Sequence, residues 1–136
     1  MSEELFHFID GAPVKGTGDR FGDVNNPATG QVTKKVPLAS ADEVRGAIAS
    51  AAKALPAWSA TPPAKRAQVM FNFRDQIRSH MDELAELLSS EHGKTVEDAK
   101  GSISRGLEVA EFACGSPQVL KGEYSEGVAN GVDSYG

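Results

Sequence analysis

Residues 62–101, PPAKRAQVMFNFRDQIRSHMDELAELLSSEHGKTVEDAKG, decide the fold, because they keep one helical period and then signal its end. Met70, Phe73, Ile77, Met81, Leu84 and Leu88 recur at three- and four-residue steps, which puts them on one helix face for about five turns. Thr61 leads into Pro62 and Pro63, and proline in a first turn lacks only an amide that has no partner inside the helix. The Ser79-His80 pair is a place for a bend. Gly93 supplies a left-handed stop, and Thr95 with Asp98 offers the cap of the next helix.

That next helix is expected from about Val96 to Cys114, on a stripe of Val96, Ala99, Ile103, Leu107, Ala110 and Cys114. Gly101 and Gly106 weaken it by roughly 1 kcal/mol each relative to alanine unless close packing needs the missing side chains. Gly115, Ser116 and Pro117 interrupt it, and the tail from Tyr124 alternates like a strand broken by glycines and cut off at Gly136. On the N-terminal side, Ser40 and Glu43 form a capping box that starts a helix striped by Val44, Ala47, Ile48, Ala51 and Leu55, which Pro56 is expected to stop. Residues 5–38 read as short strands near 6–9, 12–14, 21–24 and 31–36. Their punctuation is Asp10-Gly11, Gly16, Gly18 and the turn Asn26-Pro27-Ala28-Thr29-Gly30.

The 136 residues suit about one domain, with 40% hydrophobic and 24% charged residues. The net charge of -5 and the scattered lysines and arginines argue against a nucleic-acid partner. Apolar runs fall far short of the roughly 20 residues that cross a bilayer, so no membrane span is expected. The acidic N-terminus, MSEELFHFIDG, has neither a secretory nor a transit-peptide pattern, and one cysteine gives no internal disulfide. A cytoplasmic protein is the expectation.

Each residue that invites a chemical role also has a plainer explanation. Cys114 is the one candidate nucleophile, yet it continues the stripe of Leu107 and Ala110 at a helix C-terminus, where the dipole opposes a thiolate. It is expected to pack as a small hydrophobe. Gly16, Gly18 and Gly22 lead into FGDVNNP and not into a helix, so a hairpin connection is expected in place of a phosphate cradle. His7, His80 and His92 have no zinc spacing, and Glu83, Glu86, Glu91, Glu97 and Asp98 alternate with Lys94 and Lys100 on solvated faces. No catalytic, cofactor-binding or metal-binding residue is therefore assigned within the 136 residues.

In sequence order, VNNPATGQVTKKVPLASADEV, the alanine-rich helix ending at Ala57-Trp58, and the 62–101 stretch resemble the N-terminal region of the aldehyde dehydrogenase superfamily. The NPATG turn, the Ala-Trp pair, Arg66 and the element Glu91-x-Gly93-Lys94 carry that resemblance over roughly residues 21–110. Residues 111–136, EFACGSPQVLKGEYSEGVANGVDSYG, look like the coenzyme A-acylating branch that acts on malonate and methylmalonate semialdehydes.

The resemblance implies an α/β parent with a Rossmann-type cofactor domain, of which this segment is mostly α-helical, with short N-terminal strands and a truncated C-terminal strand. Residues 1–123 would be the N-terminal part of the NAD-binding domain and 124–136 the start of a bridging hairpin, with only one arm present. The intact family member would use NAD and coenzyme A, act on a semialdehyde with loss of carbon dioxide, and form a homo-oligomer. Its cysteine, oxyanion amide and cofactor motifs would lie downstream, so no cofactor is expected to bind this segment, which would be inactive alone. The competing expectation is a non-catalytic helical interaction or oligomerisation module derived from the same family.

Overall fold

The computed structural model describes residues 3–136, so the first two residues of the expected 1–123 unit lie outside the described residues. The elements in chain order are β1 (Glu3–Glu4), β2 (His7–Ile9), β3 (Ala12–Val14), β4 (Phe21–Asn25), β5 (Val32–Pro37), α1 (Ala41–Ala60), α2 (Pro63–Ser79), α3 (Met81–His92), α4 (Val96–Cys114), α5 (Ser116–Val119), β6 (Tyr124–Ala129) and β7 (Val132–Tyr135).

β2 and β3 form a hairpin turned by Asp10 and Gly11, both at positive φ (55° and 76°), the backbone a tight two-residue turn requires. β4 and β5 pair antiparallel, and β1 adds to β5 in parallel, setting Glu3 and Glu4 opposite Lys34 and Lys35. This edge strand is not marked in the sequence. Two residues have no period to read, and they are held by long-range pairing and opposite charge.

The glycine-rich loop is not the hairpin connection expected of it. It joins β3 to β4, which lie in different sheets. Gly16 sits where a Cβ would fall 2.6 Å from the Pro37 Cβ, so its bare backbone is needed for packing. Gly16→Ala is predicted to lower stability by about 1–3 kcal/mol, read as an earlier urea midpoint; an unchanged midpoint would show that the loop yields freely.

α1 begins as expected. The Glu43 amide donates to Ser40 Oγ at 3.3 Å, and the Ser40 amide donates to Glu43 Oε2 at 2.8 Å. It does not stop at Pro56, however, but runs on to Ala60. Pro56 withholds one amide, from the carbonyl of Ala52, but residues 51–60 are all exposed, leaving that carbonyl and the proline ring open to water. The end comes at Thr61, whose hydroxyl donates to the Ala57 carbonyl at 3.0 Å and whose amide donates to the Trp58 carbonyl at 3.1 Å.

The long 62–92 period divides into two helices at His80, whose backbone (φ −112°, ψ 21°) leaves the helical region for one residue. The His80 amide still bonds back to the Gln76 carbonyl at 3.1 Å. Gly93 ends α3 at φ 77°, and Thr95 caps α4 by accepting the Asp98 amide at 3.3 Å, both as the spacing requires.

α4 packs along both α2 and α3. The buried residues at this junction are Ala67, Ala85, Ala99, Ala110 and Cys114, all of them small. Helices meeting through alanine approach closely, and their larger apolar residues are left at the margins of the contact. Ile48 and Leu55 on α1 remain 63% and 60% exposed, and α1 has no buried residue.

The tail also corrects an expectation. Both arms of the hairpin are present: β6 pairs antiparallel with β7, Tyr124 opposite Tyr135 and Ala129 opposite Val132, with an irregularity between Ser125 and Ala129 that holds Gly127 at φ 68°. Asp133 pins that irregularity by accepting from the Gly127 amide at 2.9 Å and from the Tyr124 hydroxyl at 3.0 Å.

Candidate functional site

Two sequence elements more than fifty residues apart meet in space. In the NPATG turn, Asn26 Oδ1 accepts from the amides of Ala28 (2.8 Å) and Thr29 (3.3 Å), and the Gly30 amide donates to the Asn26 carbonyl at 2.8 Å. This presents the Pro27 ring to the end of α3, where a Cβ on Gly93 would lie 2.9 Å from Pro27 Cγ. Beside it, Lys34 Nζ on β5 donates to Glu91 Oε1 on α3 at 2.5 Å. The carboxylate holds the Lys34 ammonium proton above its ordinary range, first by that hydrogen bond and then by charge. Val24, Asn25, Asn26, Thr33, Lys34, Ser90 and Glu91 enclose a small cleft of about 170 Å³ at this junction.

The remaining polar groups of the element turn inward on the same corner. Ser89 Oγ donates to the Lys94 carbonyl at 2.7 Å, and Lys94 Nζ reaches Ser102 Oγ at 2.7 Å and Asp98 at 3.0 Å. Lys94 lowers the Asp98 carboxyl below its ordinary value, mainly through their hydrogen bond. Asn26, Pro27, Lys34, Glu91 and Gly93 thus tie the strand layer to the helical layer, while Lys94 joins the end of α3 to α4. The sequence marked these motifs but gave no sign that they touch.

The glycine loop carries a second junction. The Thr17 amide donates to Glu43 Oε1 at 2.7 Å, while the other oxygen of the same carboxylate caps α1. Two amides, that of Ser40 first and that of Thr17 next, pull the Glu43 carboxyl down to about 2 from an ordinary 4.5. Its folded-state value lies below the unfolded one, so this contribution is fully present above about pH 4.5 and is lost as pH falls through 2. Amide-exchange protection at Ser40 and Thr17 is predicted to fall between these limits in the wild type and to be flat in Glu43→Gln. Equal pH profiles would contradict the assignment. The loop holds an anion through one amide, but the anion is the chain's own. With that amide taken and a strand following, its residues do not fit a dinucleotide phosphate.

Cys114 is buried and donates its S–H to the Ala110 carbonyl at 3.3 Å at the end of α4, as its spacing implied. His80 caps α2, its Nδ1 lying 2.9 Å from the Gln76 carbonyl, and His7 and His92 lie on separate elements. Glu91 pairs with Lys34, Glu97 and Asp82 with Lys100, and Asp98 with Lys94. Among the described residues there is no group of three metal-ligating side chains. Nor is any helix long and apolar enough to cross a membrane.

One concave feature is apolar. A groove of about 520 Å³ between α2, α3 and α4 is lined by Phe73, Ile77, Leu84, Leu87, Leu88 and Ile103. Phe73 and Leu87 are 52% and 53% exposed there. Gly106 and Glu91 complete its wall, the Glu91 carboxylate being paired with Lys34, so the groove is shaped mainly to receive apolar side chains.

A family model described as the aldehyde dehydrogenase family matches residues 14–135. Malonate-semialdehyde dehydrogenase of Pseudomonas aeruginosa is 47% identical over 131 residues, covering 96% of this chain and 26% of the relative. The acylating mitochondrial methylmalonate-semialdehyde dehydrogenase of Arabidopsis thaliana is 45% identical over 135 residues, covering 99% and 22%. Among solved structures, a protein described as a methylmalonate-semialdehyde dehydrogenase of Sinorhizobium meliloti, complexed with NAD, superposes with a TM-score of 0.93 at 50% identity, covering 99% and 28%. The methylmalonate-semialdehyde dehydrogenase of Oceanimonas doudoroffii superposes with a TM-score of 0.91 at 45% identity, covering 99% and 27%. The chain spans about a quarter of the length of the proteins it matches.

Proposed function

Because this chain belongs to the aldehyde dehydrogenase family, we propose that it is the N-terminal portion of an NAD-dependent, coenzyme A-acylating enzyme that oxidises malonate or methylmalonate semialdehyde with loss of carbon dioxide. One observation carries the reading: identity of 45 to 50% with semialdehyde dehydrogenases extends over 96 to 99% of the chain, through strands, helices and hairpin alike.

On this reading the reaction needs a thiolate to attack the aldehyde carbon and donors to hold the oxyanion. When bound in the intact enzyme, NAD would supply the hydride acceptor. Cys114 does not suit the first task, since its sulfur is buried, bonded to a carbonyl, and set at the negative end of a helix. These residues act as scaffold: 1–123 form the outer part of the cofactor domain, and 124–136 belong to a bridging hairpin that joins subunits in a cytoplasmic homo-oligomer. We assign no catalytic, NAD-contacting or metal-binding residue to them, and no cofactor held by this segment alone. The self-contained interaction module is not favoured, because the large apolar side chains of α1 and of the α2–α4 groove do not close over a core.

The 136-residue chain, supplied with NAD, coenzyme A and malonate semialdehyde, is predicted to form no NADH above a protein-free control. Sustained turnover, abolished by Cys114→Ser, would overturn the scaffold role.

A further inference from the structure

We draw no further inference here: the strongest candidate, the apolar groove between α2, α3 and α4 lined by Phe73, Ile77, Leu84, Leu87, Leu88 and Ile103, is an unpartnered face, and nothing in the structure shows what covers it.

Discussion

Gly93→Ala is expected to destabilise the chain by about 2–4 kcal/mol. Two costs add at this position. A side chain at φ 77° carries the steric penalty of the left-handed region, roughly 1–2 kcal/mol, and the new Cβ would stand 2.9 Å from Pro27 Cγ, adding about 1–2 kcal/mol of overpacking. The two parts can be separated. Pro27→Ala removes Cγ but keeps the Cβ, 3.1 Å from the new atom, and leaves the backbone angle, so it should rescue somewhat less than half of the loss in the Gly93→Ala background. Gly93→Asn should lose less to the backbone, because asparagine tolerates this region, and still meet Pro27. Urea midpoints of the two single variants and the double variant give the coupling. Strict additivity would mean that the turn and the end of α3 do not press on each other.

The second large effect is association. Phe73 and Leu87 stand half-exposed on a groove of about 520 Å³, and covering the exposed half of each is worth on the order of 1 kcal/mol. The wild-type chain is therefore expected to self-associate with rising concentration and to enhance the fluorescence of an apolar dye. Phe73→Glu with Leu87→Glu should reduce the association constant by at least about tenfold, on the order of 1.4 kcal/mol, and leave helical content intact, since neither residue belongs to the alanine-lined contact. Sedimentation equilibrium reads the first effect and far-ultraviolet dichroism the second. A wild-type chain that stays monomeric and dye-silent at high concentration would show that the groove closes in solution.

Much of the helical layer was legible because its boundaries are written locally. Ser40 with Glu43, Thr95 with Asp98, and Gly93 are side-chain and backbone chemistry within one turn, and α4 keeps its expected limits from Val96 to Cys114. Three features escaped because their causes are elsewhere. Pro56 does not stop α1, and residues 51–60 around it are solvent-exposed. The bend expected at Ser79-His80 is a full break between two helices, which no Gly or Pro in the apolar period marks. β1 exists only through its pairing with β5. The C-terminal hairpin was recoverable: Asn130-Gly131 between alternating residues is a strong short-range turn signal, and Gly131 takes φ 70°. The strand-to-helix junction was visible only as two separate motifs, because contact between Pro27 and Gly93 is a property of the folded chain.

The alanine-lined contact among α2, α3 and α4 reverses the usual map of mutational tolerance. Ala85 and Ala99 are fully enclosed while Phe73 and Leu87 are half-exposed, so in the isolated chain a leucine at either alanine would wedge two helices apart, whereas a serine at Phe73 would give up only a partly buried ring. The vulnerable places here are those with the least side chain to lose.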